Sequence, residues 1–249
     1  MKTIKTMKYL TLFSMLAVSH LSWADNAFTP AQEARIKAIV RETMVSDPSI
    51  LEQAIVSLQN YQENKQTEQV QSFIQAHQKE LYQQPASPRM GAKNPLVTLV
   101  VFTDYNCPYC KQFDPILEKV IQDNPEAALI IKYLPYKGET SVIAAAKATA
   151  VWQQQPDKFW ALNDLLFKKT GMHTAETINQ AMAKVGVDKI NSGDAQIKVV
   201  KEDYNLATGL NVQGTPFTLV GNQPISGAIP YEQLNEIVKQ QIALAKQKK

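Results

Sequence analysis

The chain has two cysteines, Cys107 and Cys110, and only two residues separate them. The run before them, Leu96 to Phe102, is apolar and rich in β-branched residues, which predicts a buried strand. The run after them, Lys111 to Gln122, has apolar residues at helical spacing. A sulfur at the start of a helix is favoured as a thiolate by unpaired N–H groups and by the helix dipole. The spacing therefore predicts Cys107 as a nucleophile and Cys110 as the thiol that resolves a mixed disulfide.

A Cys-x-x-Cys pair also occurs in zinc sites and in structural disulfides. Zinc normally takes four ligands, and outside the extreme N-terminus only His77 and His173 are available to complete such a site. A structural disulfide would close so short a loop that it would constrain little of the unfolded chain. Redox chemistry is therefore favoured. It needs no metal and no organic cofactor, because the reversible Cys107–Cys110 disulfide is itself the reactive group.

Residues 1–24 have the pattern of a secretory signal peptide. Three lysines precede a mostly apolar stretch, and small residues at Ser22 and Ala24 suit cleavage after Ala24. The apolar stretch is too short for a membrane anchor. Cleavage would lower the formal net charge from +3 to zero, which gives no reason to expect a nucleic-acid partner. Export would place the cysteines in a compartment that permits disulfide chemistry.

Residues 25–88 are predicted to form helices followed by a spacer. A helix begins at Thr29-Pro30, and Asp47-Pro48 ends it and begins a second one. Each helix has one narrow apolar stripe, namely Ile36, Ile39 and Val40, then Leu51, Ile55 and Leu58. The apolar stripe is interrupted by the polar residues 62–69 and resumes from Val70 to Leu81. A predicted linker from Pro85 to Pro88 follows it.

Helices with one narrow stripe each cannot close a core alone. They must pack either on the catalytic domain or on copies of themselves. Self-association is favoured, because the polar residues 62–69 separate the first stripe from the rest of the chain.

Residues 89–249 are predicted to form an α/β catalytic domain. Further strands are expected from Ala127 to Leu134, from Pro216 to Val220 and from Pro224 to Ser226. Helical patterns fill the stretch from about residue 140 to 207, and a last helix follows Pro230. Strands on both sides of a helical block predict an α/β fold with helices inserted between its two β halves.

Two separated motifs resemble the thioredoxin superfamily, and more closely its DsbA-like exported thiol oxidoreductases. These motifs are Phe102 to Lys111 and the Gly-Thr-Pro-Phe run at residues 214–217. The resemblance covers residues 96–249 and implies a thioredoxin fold with an inserted helical domain, a periplasmic location, protein substrates with cysteines and a membrane redox partner. It implies that Pro216 is a cis-proline, that the backbone of Thr215 binds substrate, and that Pro108 and Tyr109 modulate the thiolate.

Residues 30–58 and the following spacer resemble the N-terminal region of the suppressor of copper sensitivity protein C group, in which this region oligomerises some chains. The resemblance implies a homo-oligomer, with a trimer favoured over a dimer, and a link to copper tolerance. Threonine before the cis-proline resembles the disulfide isomerases, so isomerisation is favoured. The alternatives are a dithiol oxidase recharged by a membrane partner and a Cu(I)-binding or sequestering protein.

The sequence departs from the family pattern at Val101. Many members carry a buried acid at this position, six residues before the first cysteine, to move the proton of the resolving thiol. Asp104, Lys132 or water would have to replace that acid here. Otherwise resolution is slow, and a long-lived mixed disulfide suits isomerisation.

Overall fold

The computed structural model describes residues 28–247, so the predicted signal peptide lies outside the described residues. The chain divides into two compact units between Tyr61 and Gln62. The sequence placed the boundary between residues 88 and 89, so residues 62–88, which it assigned to the helical region and spacer, lie in the second compact unit. Among the described residues, no helix has the length and apolar character needed to cross a membrane.

The described part of the first unit begins with the two predicted helices, α1 (Pro30–Ser46) and the start of α2 (Ser49–Ala76). A capping box starts α1, because the Thr29 hydroxyl accepts from the Gln32 amide and the Gln32 side chain accepts from the Thr29 amide. The carboxylate of Asp47 accepts from the Ser49 amide at 3.1 Å where α2 begins. No residue of α1 is buried within the described chain, so its apolar stripe is exposed.

Residues 62–82 belong to the second unit and contribute to its core. Helix α2 continues without a break through the polar stretch 62–69, and the short α3 (Gln78–Tyr82) follows it. Val70, Ile74 and Leu81 are buried in one cluster with residues of the sheet. A Cβ atom at Gly209 would lie 2.1 Å from the ring of Phe73, so this ring packs directly against the backbone of Gly209.

The segment from Pro85 to Pro88 is not the linker that the sequence predicted. The carbonyl of Pro88 accepts a hydrogen bond from the Ile131 amide at 2.9 Å. The carbonyl of Pro85 accepts from the indole N–H of Trp152 at 3.0 Å. These bonds, together with burial of Ser87, fix the segment on the second unit. Prolines indicated a break in the helix correctly, but they did not indicate mobility.

The second unit is built on one five-stranded mixed sheet with the order β1-β3-β2-β4-β5. Strands β2 and β3 are parallel, and the other neighbouring pairs are antiparallel. The strands are β1 (Arg89–Gly91), β2 (Val97–Thr103), β3 (Ala127–Tyr133), β4 (Phe217–Val220) and β5 (Gln223–Ser226). Only β1 was not predicted.

Helices cover both faces of the sheet and fill the predicted insertion. Helix α4 (Pro108–Asp123) follows β2, and α9 (Tyr231–Gln247) follows β5. The four helices between β3 and β4 are α5 (Glu139–Gln154), α6 (Pro156–Lys168), α7 (Ala175–Lys184) and α8 (Asp194–Gly209). The predicted α/β fold with an inserted helical block is confirmed.

Alternate residues of the central strand β2 enter two different cores. Leu99 and Val101 lie in the core that contains both cysteines, whereas Val100 and Phe102 lie in the core that contains Ile74. Lys132 of β3 pairs with Phe102 and is fully buried on this second face. Its Nζ lies 3.0 Å from Oδ1 of the buried Asp203, whose Oδ2 accepts from the Tyr133 amide at 3.0 Å.

We expect Lys132→Met to lower the free energy of unfolding by about 3–5 kcal/mol, because it leaves the Asp203 carboxylate buried without its counter-charge. Denaturant unfolding would measure the loss. Lys246→Met is a matched control, since the Lys246–Glu126 pair is exposed and its loss should cost about 1 kcal/mol or less. Adding Asp203→Leu to Lys132→Met should recover most of the stability. A loss no larger than that of the control would contradict the ion pair's role.

Candidate active site

Cys107 lies where β2 passes into α4. It is the N-cap residue of α4, and Pro108 occupies the first turn, where an N–H group is not needed. The Cys107 amide donates to the carbonyl of Asp104 at 3.0 Å and closes the turn between strand and helix. The predicted strand-to-helix junction is therefore present, and it places the first sulfur at a helix N-terminus.

Three strand ends meet at this edge of the sheet. The parallel strands β2 and β3 end beside each other at Thr103 and Tyr133, and the antiparallel β4 begins beside β2 at Phe217. The loops that follow or precede these ends therefore converge. As a result, Cys107 Sγ lies 3.3 Å from the carbonyl oxygen of Thr215, a residue 108 positions away. The Thr215–Pro216 peptide bond is cis, as the resemblance implied.

The two cysteines are buried free thiols with opposite pKa shifts. The pKa of Cys107 falls from 9.0 to about 5, mainly because the Cys110 side chain hydrogen-bonds to its sulfur; the Thr215 and Tyr136 side chains and the Cys110 backbone contribute further, while burial opposes them. Burial, followed by the hydrogen bond with Cys107, raises the pKa of Cys110 well above its usual range. At neutral pH the first sulfur is a thiolate and the second keeps its proton.

The two predicted modulators, Pro108 and Tyr109, lie at the exposed start of α4. The Tyr109 side chain is 64% exposed and forms apolar surface beside the cysteines. Tyr136, with 46% exposure, places its hydroxyl 3.8 Å from Cys107 Sγ. No sequence pattern pointed to Tyr136, because it lies outside both motifs and reaches the site only through the loop after β3.

Neither side chain considered for the proton of Cys110 is free for that role. Both carboxylate oxygens of Asp104 accept from backbone amides, Oδ1 from Asn106 at 2.8 Å and Oδ2 from Tyr136 and Lys137 at 3.0 Å each. Lys132 lies on the opposite face of the sheet, paired with Asp203. Val101 faces the core of the cysteines and offers no proton acceptor.

The helical insertion is attached to the active-site segment by two residues that the sequence did not single out. The Asn106 side chain accepts from the His173 amide at 2.7 Å and donates to the hydroxyls of Thr140 and Ser141. Lys111 Nζ donates to the carbonyls of Lys169 and Gly171. Both residues adjoin the cysteines in the sequence, which was the available signal.

The histidines considered as zinc ligands have other partners. Both ring nitrogens of His173 lie within hydrogen-bonding distance of oxygen, at 2.8 Å from the Leu166 carbonyl and 3.3 Å from the Thr177 hydroxyl. The ring of His77 stacks on Phe73. Within residues 28–247, neither cysteine belongs to a group of three side chains placed to hold a metal.

Asp114 is a buried carboxylate one turn after Cys110 in α4. Its Oδ1 accepts from Asn163 at 3.3 Å, and Asn163 in turn accepts from the Tyr105 hydroxyl at 2.9 Å. Burial, followed by the nearby charge of Glu118, raises the pKa of Asp114 from 3.8 to about 7. Between these pH values the folded chain therefore keeps a proton that the unfolded chain releases.

The contribution of Asp114 to the free energy of unfolding should therefore fall as the pH rises from about 4 to about 7. Asp114→Asn keeps an oxygen that can accept from Asn163 but removes the titration. We expect the variant to gain stability over the wild type across this range, by on the order of 3 kcal/mol at its upper end. Denaturant unfolding of both chains at several pH values would measure the difference. A difference that does not change with pH would contradict the raised pKa.

Comparisons with known proteins agree with this geometry. Residues 98–239 match the model of the DSBA-like thioredoxin domain, and residues 32–65 match that of the copper resistance protein ScsC N-terminal domain. A crystal structure of Proteus mirabilis ScsC in a compact conformation is 42% identical, covers 86% of this chain and 99% of that one, and superposes with a TM-score of 0.70.

Two further proteins with other descriptions are also similar to this chain. A periplasmic thioredoxin-like protein from Salmonella enterica serovar Typhimurium is 46% identical, covers 67% of this chain and 95% of that one, and has a TM-score of 0.65. Disulfide bond formation protein D of Bacillus subtilis is 25% identical over 170 residues, which are 62% of this chain and 77% of that protein. The chain therefore belongs to the DsbA-like thioredoxin-domain family of thiol–disulfide oxidoreductases and carries the N-terminal domain of the ScsC proteins.

Proposed function

We propose that the chain is an exported protein disulfide isomerase that works in the periplasm as a homo-oligomer. The observation that carries this proposal is the opposite pKa shift of the two thiols, one turn apart on α4. A thiolate at Cys107 attacks disulfides at neutral pH, whereas a protonated Cys110 reacts slowly. The periplasmic location is supported by the signal-peptide pattern and by the description of the Salmonella relative.

The reaction begins when the Cys107 thiolate attacks one sulfur of a substrate disulfide. The Cys107–substrate S–S bond forms, the substrate S–S bond breaks, and the other substrate sulfur leaves as a thiolate. In isomerisation a substrate thiolate then attacks the mixed disulfide at the substrate sulfur, and Cys107 leaves as a thiolate with no net change in oxidation state. If deprotonated Cys110 attacks Cys107 Sγ instead, the enzyme becomes oxidised and the substrate gains two electrons as two thiols.

Isomerisation is favoured because little in the site assists Cys110. Its thiol is buried, Val101 stands in place of an acid, and both oxygens of Asp104 are already occupied. Slow attack by Cys110 lengthens the life of the mixed disulfide and leaves time for substrate thiols to attack it. A membrane redox partner would keep the cysteine pair reduced. Thr215, next to Cys107 Sγ, would hold the substrate backbone.

A dithiol oxidase is the second candidate, and the low pKa of Cys107 favours it. A stabilised thiolate stabilises the reduced enzyme, which makes its disulfide a stronger oxidant. In this case the membrane partner would recharge the enzyme by reoxidising the cysteine pair to the disulfide, rather than reduce it. The two candidates differ in whether Cys110 is needed for the net reaction.

The exposed stripes of the first unit support self-association. Ile39 and Ile55 are 45% and 56% exposed, and the other apolar residues of the stripes are exposed as well. Packing the stripes of several copies together would bury this surface and place several active sites in one assembly. We favour a trimer over a dimer on the family resemblance.

We propose that the link to copper tolerance is the repair of incorrect disulfides in substrate proteins. Storage of Cu(I) by the cysteine pair would need both sulfurs as thiolates, and the raised pKa of Cys110 opposes that state. Titration of the reduced chain with Cu(I) should then show no tight binding. Tight binding at one ion per cysteine pair would favour the sequestering alternative.

We expect Cys110→Ser to retain isomerase activity and to accumulate mixed disulfides with substrate, because isomerisation needs only the Cys107 thiolate. Refolding of a scrambled-disulfide protein in a glutathione buffer would measure the activity, and a non-reducing gel would show the mixed disulfides. Cys107→Ser should lose both. If Cys110→Ser loses isomerisation while the wild type oxidises a reduced peptide, the oxidase is the better description.

We expect Ile39→Glu with Ile55→Glu to yield a smaller assembly with weakened isomerase activity, because charges on the exposed stripes would oppose their burial between copies. The control is Gln53→Glu with Asn60→Asp, which adds the same charge on the opposite side of α2. Light scattering would give the mass, and peptide oxidation should be equal in both variants. A chain that keeps full isomerase activity as a monomer would contradict the role of assembly.

Any truncation should begin at Gln62, since residues 62–88 contribute to the catalytic unit.

A further inference from the structure

Tyr136 lies outside both the cysteine motif and the proline motif, yet its side chain contacts the reactive sulfur. It lies in the loop between β3 and α5, and its hydroxyl is 3.8 Å from Cys107 Sγ. Sulfur is larger than oxygen, so this separation is within reach of an O–H···S hydrogen bond. The ring is 46% exposed, which puts it at the mouth of the site rather than in the core.

The position of Tyr136 is fixed by Asp104. The Asp104 carboxylate accepts from the amides of Tyr136 and Lys137, each at 3.0 Å. The carbonyl of the same Asp104 accepts from the Cys107 amide, also at 3.0 Å. One buried residue is therefore bonded to the backbone of both the nucleophile and the tyrosine. This arrangement explains why the Asp104 carboxylate is buried so close to the thiolate although it accepts the proton of neither cysteine.

We propose that Tyr136 is a catalytic residue, whose hydroxyl donates a hydrogen bond to the Cys107 thiolate, and that Asp104 is the residue that positions it. The inference rests on the proposed exchange chemistry of Cys107 and assigns a donor to it. Burial is the main effect that raises the pKa of Tyr136, so at neutral pH the hydroxyl keeps its own proton. It stabilises charge and transfers no proton.

The hydrogen bond acts in both directions of the exchange. When Cys107 attacks, its electron pair forms the new S–S bond, the substrate S–S bond breaks, and the Tyr136 bond weakens as charge leaves Sγ. When a substrate thiolate attacks the mixed disulfide, the Cys107–substrate bond breaks and charge returns to Sγ. The hydroxyl then stabilises Cys107 as a leaving group, and a better leaving group speeds this step. Tyr136 therefore promotes release of the substrate by the substrate's own thiols.

The first test compares Tyr136→Phe with the wild type in the reduced full chain. Thiolate absorbance against pH should give a Cys107 midpoint of about 5 for the wild type. We expect the variant's midpoint to be higher by about 0.5 to 1, because an ionised acceptor has lost one hydrogen bond. Tyr204→Phe is the matched control. Tyr204 on α8 is 51% exposed, and among the described residues its hydroxyl makes no hydrogen bond to either cysteine.

A second readout is the equilibrium of the cysteine pair with glutathione. Loss of thiolate stabilisation should shift it towards the Cys107–Cys110 disulfide by about three- to ten-fold in Tyr136→Phe, and not in the control. A loss of packing alone would not move both the pKa and this equilibrium in the same sense.

Asp104→Asn tests the positioning role. Removal of a negative charge by itself lowers the pKa of a nearby thiol, whereas displacement of Tyr136 raises it. We therefore expect Asp104→Asn to raise the Cys107 midpoint more in the wild-type background than when Tyr136→Phe is already present. Equal effects in the two backgrounds would overturn the positioning role.

The outcomes separate this inference from the proposed function. Suppose that the wild type has a Cys107 thiolate at neutral pH and that Tyr136→Phe titrates with the same thiolate midpoint. This result would overturn the role of Tyr136 and leave the exchange chemistry intact. A wild type without a thiolate at neutral pH and without exchange activity would overturn both.

Discussion

A buried thiolate is the constraint on which the rest of the catalytic unit depends. Cys107 is almost completely buried, and a charge in that position is costly unless fixed dipoles and hydrogen bonds replace water. The N-terminus of α4 supplies one such dipole, and the hydrogen bond with the Cys110 thiol is the main cause of the lowered pKa of Cys107. Because Cys110 donates to the thiolate, its own proton is held more tightly. This hydrogen bond therefore contributes to both pKa shifts, and burial is the larger cause of the raised pKa of Cys110.

The sheet brings the parts of this site together from distant positions. Parallel pairing of β2 with β3 and antiparallel pairing of β2 with β4 place three loops at one edge. Cys107, Tyr136 and Thr215 each come from one of these loops. No short motif could contain all three, since the pairing of strands creates their proximity. The second core, on the opposite face, uses the buried Lys132–Asp203 pair to hold α8 against β3.

The sequence predicted the features whose causes are local. The strand before the cysteines, the helix after them and the threonine–proline pair all follow from short patterns, and the structure places them together. The predicted boundary at residue 88 and the division into compact units after Tyr61 differ because an apolar stripe shows that a face will be covered, but not by what. Val70 and Ile74 continue the helical pattern of the first unit, yet residues of the sheet cover them. Strand β1 has three residues, too few for an alternating pattern, and Tyr136 acquires its role only through the fold.

The two thiols bias the proposed reaction in one direction. A low pKa makes Cys107 a good leaving group, so a mixed disulfide at its sulfur is readily released by an incoming thiolate. A high pKa makes Cys110 a poor supplier of that thiolate, although it lies one turn away. Thiols of the bound substrate, which are exposed to water, then compete well against the enzyme's own resolving thiol. An acid buried at position 101 would remove this difference by helping Cys110 to ionise, and valine there preserves it. The absence of an acid at Val101 is therefore consistent with a site that rearranges disulfides, provided that a partner keeps the pair reduced.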